Sequence, residues 1–141
     1  MKYISFAIPC YNSEAYMEKA INSILVGGED VEIIVVNDGS KDGTQKIAER
    51  YQEKYPTIVK AVEKENGGHG DAVNCGLAHA TGKYFKVVDS DDWVDEEALK
   101  KILDAVKGFV DADSPVDMVI SNYVYEKVGM KHKKVIRYDN V

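Results

Sequence analysis

Tyr84-Phe85-Lys86-Val87-Val88-Asp89-Ser90-Asp91-Asp92-Trp93 runs from apolar, β-branched and aromatic residues straight into three carboxylates within four positions. The first half suits a buried strand. The second half crowds like charges, which repel and raise one another's pKa unless a cation relieves them. Carboxylates are hard oxygen ligands, so the fitting guest is Mg2+ or Mn2+, shared with substrate phosphates. Asp89-Ser90-Asp91 therefore reads as a metal clamp at the carboxyl end of a strand. Read for structure alone, the same residues make a solvated acidic turn ahead of the next helix.

Outward from this stretch the chain repeats one pattern, strand then helix. Tyr3 to Ile8 is an apolar strand that Pro9 is expected to stop, with Ser13 placed to cap a helix. Met17, Ala20, Ile21, Ile24 and Leu25 recur at helical spacing, and Gly27-Gly28 ends that helix. Val31 to Val36 is almost continuously apolar, as a strand covered on both faces should be, and Asn37-Asp38-Gly39-Ser40 turns the chain. A second helix runs from about Thr44 to Tyr55, with Ile47, Ala48 and Tyr51 inward, and a third strand from Ile58 to Val62. The loop Asn66-Gly67-Gly68-His69-Gly70 leads into a third helix with the stripe Ala72, Val73, Gly76, Leu77 and Ala80, ended by Gly82. Beyond the acidic strand, Asp95 is placed to cap a fourth helix carrying Ala98, Leu99, Ile102, Leu103, Val106 and Phe109. Met118 to Tyr125 reads as another strand, and Lys127, Lys131, Lys133, Lys134 and Arg137 around Gly129 as a basic hairpin.

Four such units in series predict an α/β fold, a mostly parallel sheet with helices on both faces. Ligands in such sheets sit outside the carboxyl ends of the strands. Asn12, Asp38, the loop from Asn66 to Asp71 and the run from Asp89 to Asp92 all fall at that edge. Four loops converging on one edge say more than any single motif.

Composition narrows the functions. The 141 residues make a single domain, 1–141, with 45% hydrophobic residues and a net charge of -6. An acidic balance argues against nucleic acid as a partner, though not against a nucleotide held by a metal and helix N-termini. No apolar run reaches the roughly 20 residues of a membrane span. Met1 to Pro9 is too short in apolar residues for a signal peptide. Cys10 and Cys75 accordingly read as free thiols in a reducing, cytoplasmic compartment.

The separate motifs each carry two readings. Pro9-Cys10-Tyr11-Asn12 sets an aromatic ring and an amide at the cleft, to flank and hydrogen-bond a nucleobase, or it merely turns the chain. Asp38 can accept a base N–H or ribose hydroxyls, or serve as a turn residue. The glycine-rich loop offers backbone N–H groups to an anion at the following helix start. It lacks the Lys-Ser/Thr ending of a P-loop, and Gly39 and Gly43 do not complete a dinucleotide fingerprint. His69 reads as a loop residue, and His79 and His132 as surface residues. A calcium loop from Asp89 is excluded by Val94 at the turn-glycine position and Lys100 at the bidentate-acid position. The cysteines and histidines have no zinc spacing, and no nucleophile elbow appears.

Taken together, Pro9-Cys10-Tyr11-Asn12, Val35-Val36-Asn37-Asp38-Gly39-Ser40, Asn66-Gly67-Gly68 through Asn74-Cys75-Gly76, Gly82 and Val88-Asp89-Ser90-Asp91-Asp92 resemble the successive signatures of family 2 glycosyltransferases. The resemblance runs from residue 3 to about residue 125. It implies a GT-A fold, a nucleotide-diphosphate sugar donor (a UDP-sugar), Mg2+ or Mn2+, inversion at the anomeric carbon, and a role in polysaccharide biosynthesis. It implies that Asp38 meets the base and Tyr11 lines its pocket, with Pro9, Asn12, Gly68 and Asp71 also at the nucleotide. It places Asp89 near ribose and metal and makes Asp91 the main metal ligand of a DxD motif, with Asp92 ligating or orienting.

The chain departs from the family pattern at Val73, where many members have Arg, and at His69, often Lys or Ser. The family's general base and acceptor-binding half lie downstream of the DxD. The expectation is therefore a donor-binding portion without that half, its base outside the chain, and Asp139 not assigned the role. A saccharide or lipid-linked acceptor follows from the resemblance, as does a full-length enzyme at the inner face of the membrane. The alternative is a non-catalytic nucleotide-binding or protein-interaction module of the same fold, pairing with itself or another chain. A nucleotidylyltransferase would want a glycine-rich, basic loop after the first strand, and Pro9 to Ser13 is not one.

Overall fold

The computed structural model describes residues 2–111 with side chains and the backbone of 123–125 and 134–136. Four strands, β1 (Ile4–Cys10), β2 (Val31–Asp38), β3 (Val59–Lys64) and β4 (Tyr84–Val87), form one sheet in the order β3-β2-β1-β4. Every pairing within it is parallel. The helices α1 (Met17–Leu25), α2 (Thr44–Lys54), α3 (His69–His79) and α4 (Glu96–Asp111) alternate with the strands. The expected α/β architecture with helices on both faces is therefore present. Two further strands, β5 (Tyr123–Tyr125) and β6 (Lys134–Ile136), pair antiparallel, as a hairpin requires. The turn at Gly129 and residues 112–122 lie outside the described residues, as do Lys127, Lys131, Lys133 and Arg137.

Alternation along β1 and β2 sorts the core into two layers. Ile4, Phe6, Ile8, Val31, Ile33 and Val35 face α1, α2 and α4, where Met17, Ile21, Ile24, Ala48, Tyr51, Leu99, Leu103 and Val106 close over them. Ile34 and Val36 face α3 through Ala72, with Val62, Cys75 and Ala80 alongside. Cys10 belongs to the first layer and Cys75 packs on the second, so both thiols are free. Gly76 lets α3 lie close on the sheet, since a Cβ there would sit 2.6 Å from the Ala7 Cβ. The chain reverses its direction of winding between β1 and β4. That is a topological switch point, where the strand ends open a crevice.

Several boundaries differ from the expectation. Pro9 does not stop β1, which continues to Cys10 in register with Val36 and Asn37. On the other side the ladder with β4 stops at Ala7, whose carbonyl accepts the N–H of Val88. Residue 9 points to that same side, beyond the ladder, so its missing N–H forfeits no bond. Ser13 does not cap α1: the helix starts at Met17 after Tyr16, and no side chain caps it. Asn37 and Asp38 belong to β2 rather than to the turn, which begins at Gly39 with φ +70. Leu77 is 53% exposed, because the glycine and alanine stripe alone fills the narrow gap under α3. That helix stops at His79, before Gly82. Asp95 does cap α4, its carboxylate accepting the Ala98 N–H at 3.0 Å.

At the amino-terminal edge, Glu32 is 3% exposed yet fully bonded. It accepts from Ser5 Oγ at 2.8 Å, the Thr81 N–H at 2.9 Å, Thr81 Oγ1 at 2.9 Å and Lys60 Nζ at 2.7 Å. Burial by itself raises this carboxyl, but the bonds from Lys60, Thr81 and Ser5 outweigh it and bring it from 4.5 down to about 2. A group depressed in the folded state contributes in full above its unfolded value and loses that contribution as pH falls through the folded one. Glu32→Gln should lose about 2 kcal/mol at pH 7 in urea unfolding. The gap to the parent chain should narrow between pH 4.5 and 2. A gap that is absent, or constant over that range, would contradict the assignment.

Candidate functional site

The carboxyl ends of β1, β2 and β4, with the loop after β3, enclose the candidate site. Its centre is Asp38, the last residue of β2, in register with Lys64, the last of β3. Asp38 Oδ1 accepts from Lys64 Nζ and from the Gly67 N–H, both at 2.9 Å, and Oδ2 accepts from the Gly68 N–H at 3.1 Å. Its main-chain carbonyl accepts from Asn66 Nδ2 at 3.0 Å. Burial pushes this carboxyl up, but the Gly67 N–H and the Lys64 ammonium outweigh it and hold it below its ordinary value. Lys64 also pairs with Asp71 Oδ2 at 2.5 Å and donates to the Glu65 carbonyl. Asp71 and Asp38 hold the lysine charged, its pKa raised.

Two glycines make this clamp. Gly39 has φ +70, and a Cβ on it would lie 2.7 Å from the Asn66 nitrogen, so the turn after β2 can seat the loop only without a side chain. Gly68, at φ +95, directs the chain into α3 while its N–H stays on Asp38.

The loop after β1 is tied to the loop after β2. Asn12 takes a left-handed conformation, φ +50, which asparagine tolerates. Its N–H donates to Ser40 Oγ at 2.8 Å, and its Oδ1 accepts the Lys41 N–H at 2.8 Å. The Ser13 N–H donates to Thr44 Oγ1 at 2.9 Å, and Asp42 Oδ1, just ahead of α2, accepts the Thr44 N–H at 3.0 Å. Tyr11 stands out of this frame with half its surface exposed, whereas Pro9 is buried within β1.

The acidic loop is fixed to α1 and its approach. Ser90 Oγ lies 2.7 Å from Ser13 Oγ, Lys19 Nζ sits 3.5 Å from the Trp93 ring centroid, and the Val94 N–H donates to Ser23 Oγ at 3.0 Å. The Asp92 N–H closes the turn on the Asp89 carbonyl at 3.0 Å. Asp89 is half exposed, with Oδ1 2.9 Å from His69 Nε2, and Asp91 is exposed.

Of the residues singled out from sequence, the structure thus joins Asp38 to Gly68 directly and to Asp71 through Lys64, and His69 to Asp89. Tyr11 and Asn12 enter from β1, and Asp91 projects from the loop after β4. Sequence reading missed Lys64, Ser13 in its bridging role, Ser90 and the Lys19–Trp93 contact. Lys64 becomes legible only once the parallel register sets it opposite Asp38. A separate groove of about 330 Å³ lies between α1 and α2, lined by Glu18, Asn22, Arg50, Tyr51, Lys54 and Tyr55, and takes in none of these residues.

The family model for glycosyl transferase family 2 matches residues 5–136. The chain belongs to that family. It is 39% identical over 102 residues to the Bacillus subtilis minor teichoic acid biosynthesis protein GgaB, covering 70% of this chain and 11% of GgaB. S. aureus TarS 1-349 in complex with UDP-GlcNAc superposes with a TM-score of 0.65 at 35% identity, covering 79% of this chain and 32% of that one. A mannosyltransferase from Pyrobaculum calidifontis, in complex with GDP-Man and Mn2+, matches with a TM-score of 0.65 at 27% identity, over 84% of this chain and 34% of that one. The chain therefore spans about a third or less of the length of these relatives. The fold is the GT-A arrangement of these glycosyltransferases.

Replacing Lys64 by Met removes one of the three donors to the Asp38 carboxylate and the nearest cation. The Asp38 carboxyl should then titrate at higher pH than in the parent chain, read by carboxyl-carbon NMR. An unaltered titration would mean that the glycine N–H groups alone hold it down.

Proposed function

We propose that this chain is the donor-binding part of an inverting glycosyltransferase that takes a UDP-sugar with Mg2+ or Mn2+. The observation that carries the reading is the pairing of the Asp38 clamp with the acidic loop at the switch point. The two stand at the ends of β2 and β4, the strands that flank β1. Asp38 Oδ1 already accepts two hydrogen bonds and Oδ2 one, which leaves Oδ2 an acceptor position. Uracil offers a single ring N–H between two carbonyls and matches one open oxygen. Guanine offers two adjacent donors, which suit a carboxylate with both oxygens free. The exposed Tyr11 ring flanks the base, and the complex of TarS with UDP-GlcNAc supports the uridine reading.

Asp91, with Asp89 beside it in the loop, presents the oxygen ligands for the ion. Among the described residues no group of three or more His, Cys, Asp or Glu side chains gathers to hold a metal unaided. The donor set fits an ion bound through one or two carboxylates and completed by phosphate oxygens. When bound, the ion supplies charge stabilisation to the departing diphosphate. The residues present hold the base, orient the acidic loop and leave the sugar facing the crevice. The base for the acceptor hydroxyl is assigned to no residue of this chain, and the acceptor is a saccharide or a lipid-linked saccharide. Among the described residues no helix is long and apolar enough to cross a membrane. In this reading the donor part works in the cytoplasm, with the full-length enzyme at the inner membrane face.

Calorimetric titration tests the reading. UDP should bind with Mn2+ and at least tenfold more weakly with chelator, GDP should bind more weakly than UDP, and Asp91→Ala should behave as the chelated parent. UDP affinity indifferent to both chelator and Asp91→Ala would contradict the metal assignment.

A further inference from the structure

His69 is the first residue of α3, and its Nε2 lies 2.9 Å from Asp89 Oδ1, twenty residues along the chain and on a different strand end. The loop that carries it is not free to drift. Gly67 and Gly68 are held on Asp38 at the end of β2, and Asp89 follows the end of β4. Because β1 lies between β2 and β4, residues 67–69 arch over the carboxyl end of β1. One foot stands on Asp38 and the other on Asp89.

We infer that His69 is a positioning residue for Asp89, setting which carboxylate oxygen faces the metal and the donor. The inference rests on the donor-site reading above. With Asp89 ionised, Nε2 carries the proton and donates it to Oδ1. That bond fixes the rotation of a carboxylate whose side chain is half exposed, and it leaves Oδ2 as the oxygen open to the crevice. Metal-ligating carboxylates are commonly oriented by such a hydrogen bond, and losing the orienting partner typically weakens metal affinity about 10–100-fold. The imidazole itself is 65% exposed, so the contact contributes little to folding.

The test titrates Mn2+ into the chain saturated with UDP, for the parent, His69→Ala and His69→Gln, with melting temperatures taken in parallel. His69→Ala should raise the Mn2+ Kd at least about tenfold. His69→Gln, whose amide N–H reaches the same place, should return it to within about threefold of the parent. UDP affinity at saturating Mn2+ and the melting temperature should stay near parental values. A loop merely loosened by the substitution would instead weaken UDP binding at every metal concentration, which overturns the inference. So does an unaltered Mn2+ Kd in His69→Ala when the parent binds UDP. A parent chain that binds neither UDP nor GDP with Mn2+ overturns the donor-site reading and this inference with it.

Discussion

Asp38 takes hydrogen bonds from Lys64 and from the backbone of Gly67 and Gly68, and through them it sets where α3 begins. Six residues earlier on the same face of β2, Glu32 takes bonds from Ser5, Lys60 and Thr81 and sets where the chain leaves α3. The strand therefore carries a carboxylate at each end of α3. A buried carboxylate left without partners would be costly, so the loops at both ends of α3 are constrained to supply donors. Between the two anchors, Ala7, Gly76 and Ala72 let α3 lie close on the sheet, with Ile34 and Val36 buried beside them. The site loop inherits its position from this arrangement, since both glycine N–H groups are held on Asp38.

In the proposed reading, electrostatics explains how an acidic chain suits an anionic ligand. Near the site, Asp38 and Asp71 share Lys64, and Asp89 leans on His69. Asp91 stands exposed in the loop fixed by Ser13, Lys19 and Ser23. A diphosphate brought to that edge alone meets like charge, whereas one that arrives with a divalent cation does not. In the proposed reading Asp38, held by Lys64 and two glycine N–H groups, builds the pocket, and Asp91 with Asp89 beside it is left for the ion. Rigidity of this kind lowers the ordering cost when a ligand binds.

The sheet was legible because its signals are redundant. Val31 to Val36 reads as a doubly covered strand, and the stripes of α1, α2 and α4 keep a clean helical period that the structure reproduces. The failures share a cause: each needed a neighbour that sequence does not name. Pro9 stays in β1 because β4 ends short of it. Ser13 is drawn from capping into bonding with Thr44 and Ser90. Leu77 is exposed because the gap under α3 admits only small residues. In the site, Asp38, Gly68 and Asp89 stood out by type and by their place after strands. Lys64 did not, because a lysine ending a strand is ordinary until register sets it opposite a buried carboxylate.

In the proposed reading the base and metal sites lie on either side of the β1 end. Crystals of this chain grown with UDP and Mn2+, measured at the manganese absorption edge, would locate both. An anomalous peak is expected at the Asp89–Asp91 loop, touching the diphosphate, with uracil against Tyr11 and its ring N–H on Asp38 Oδ2. Manganese and nucleotide seated elsewhere, such as in the groove between α1 and α2, would contradict it.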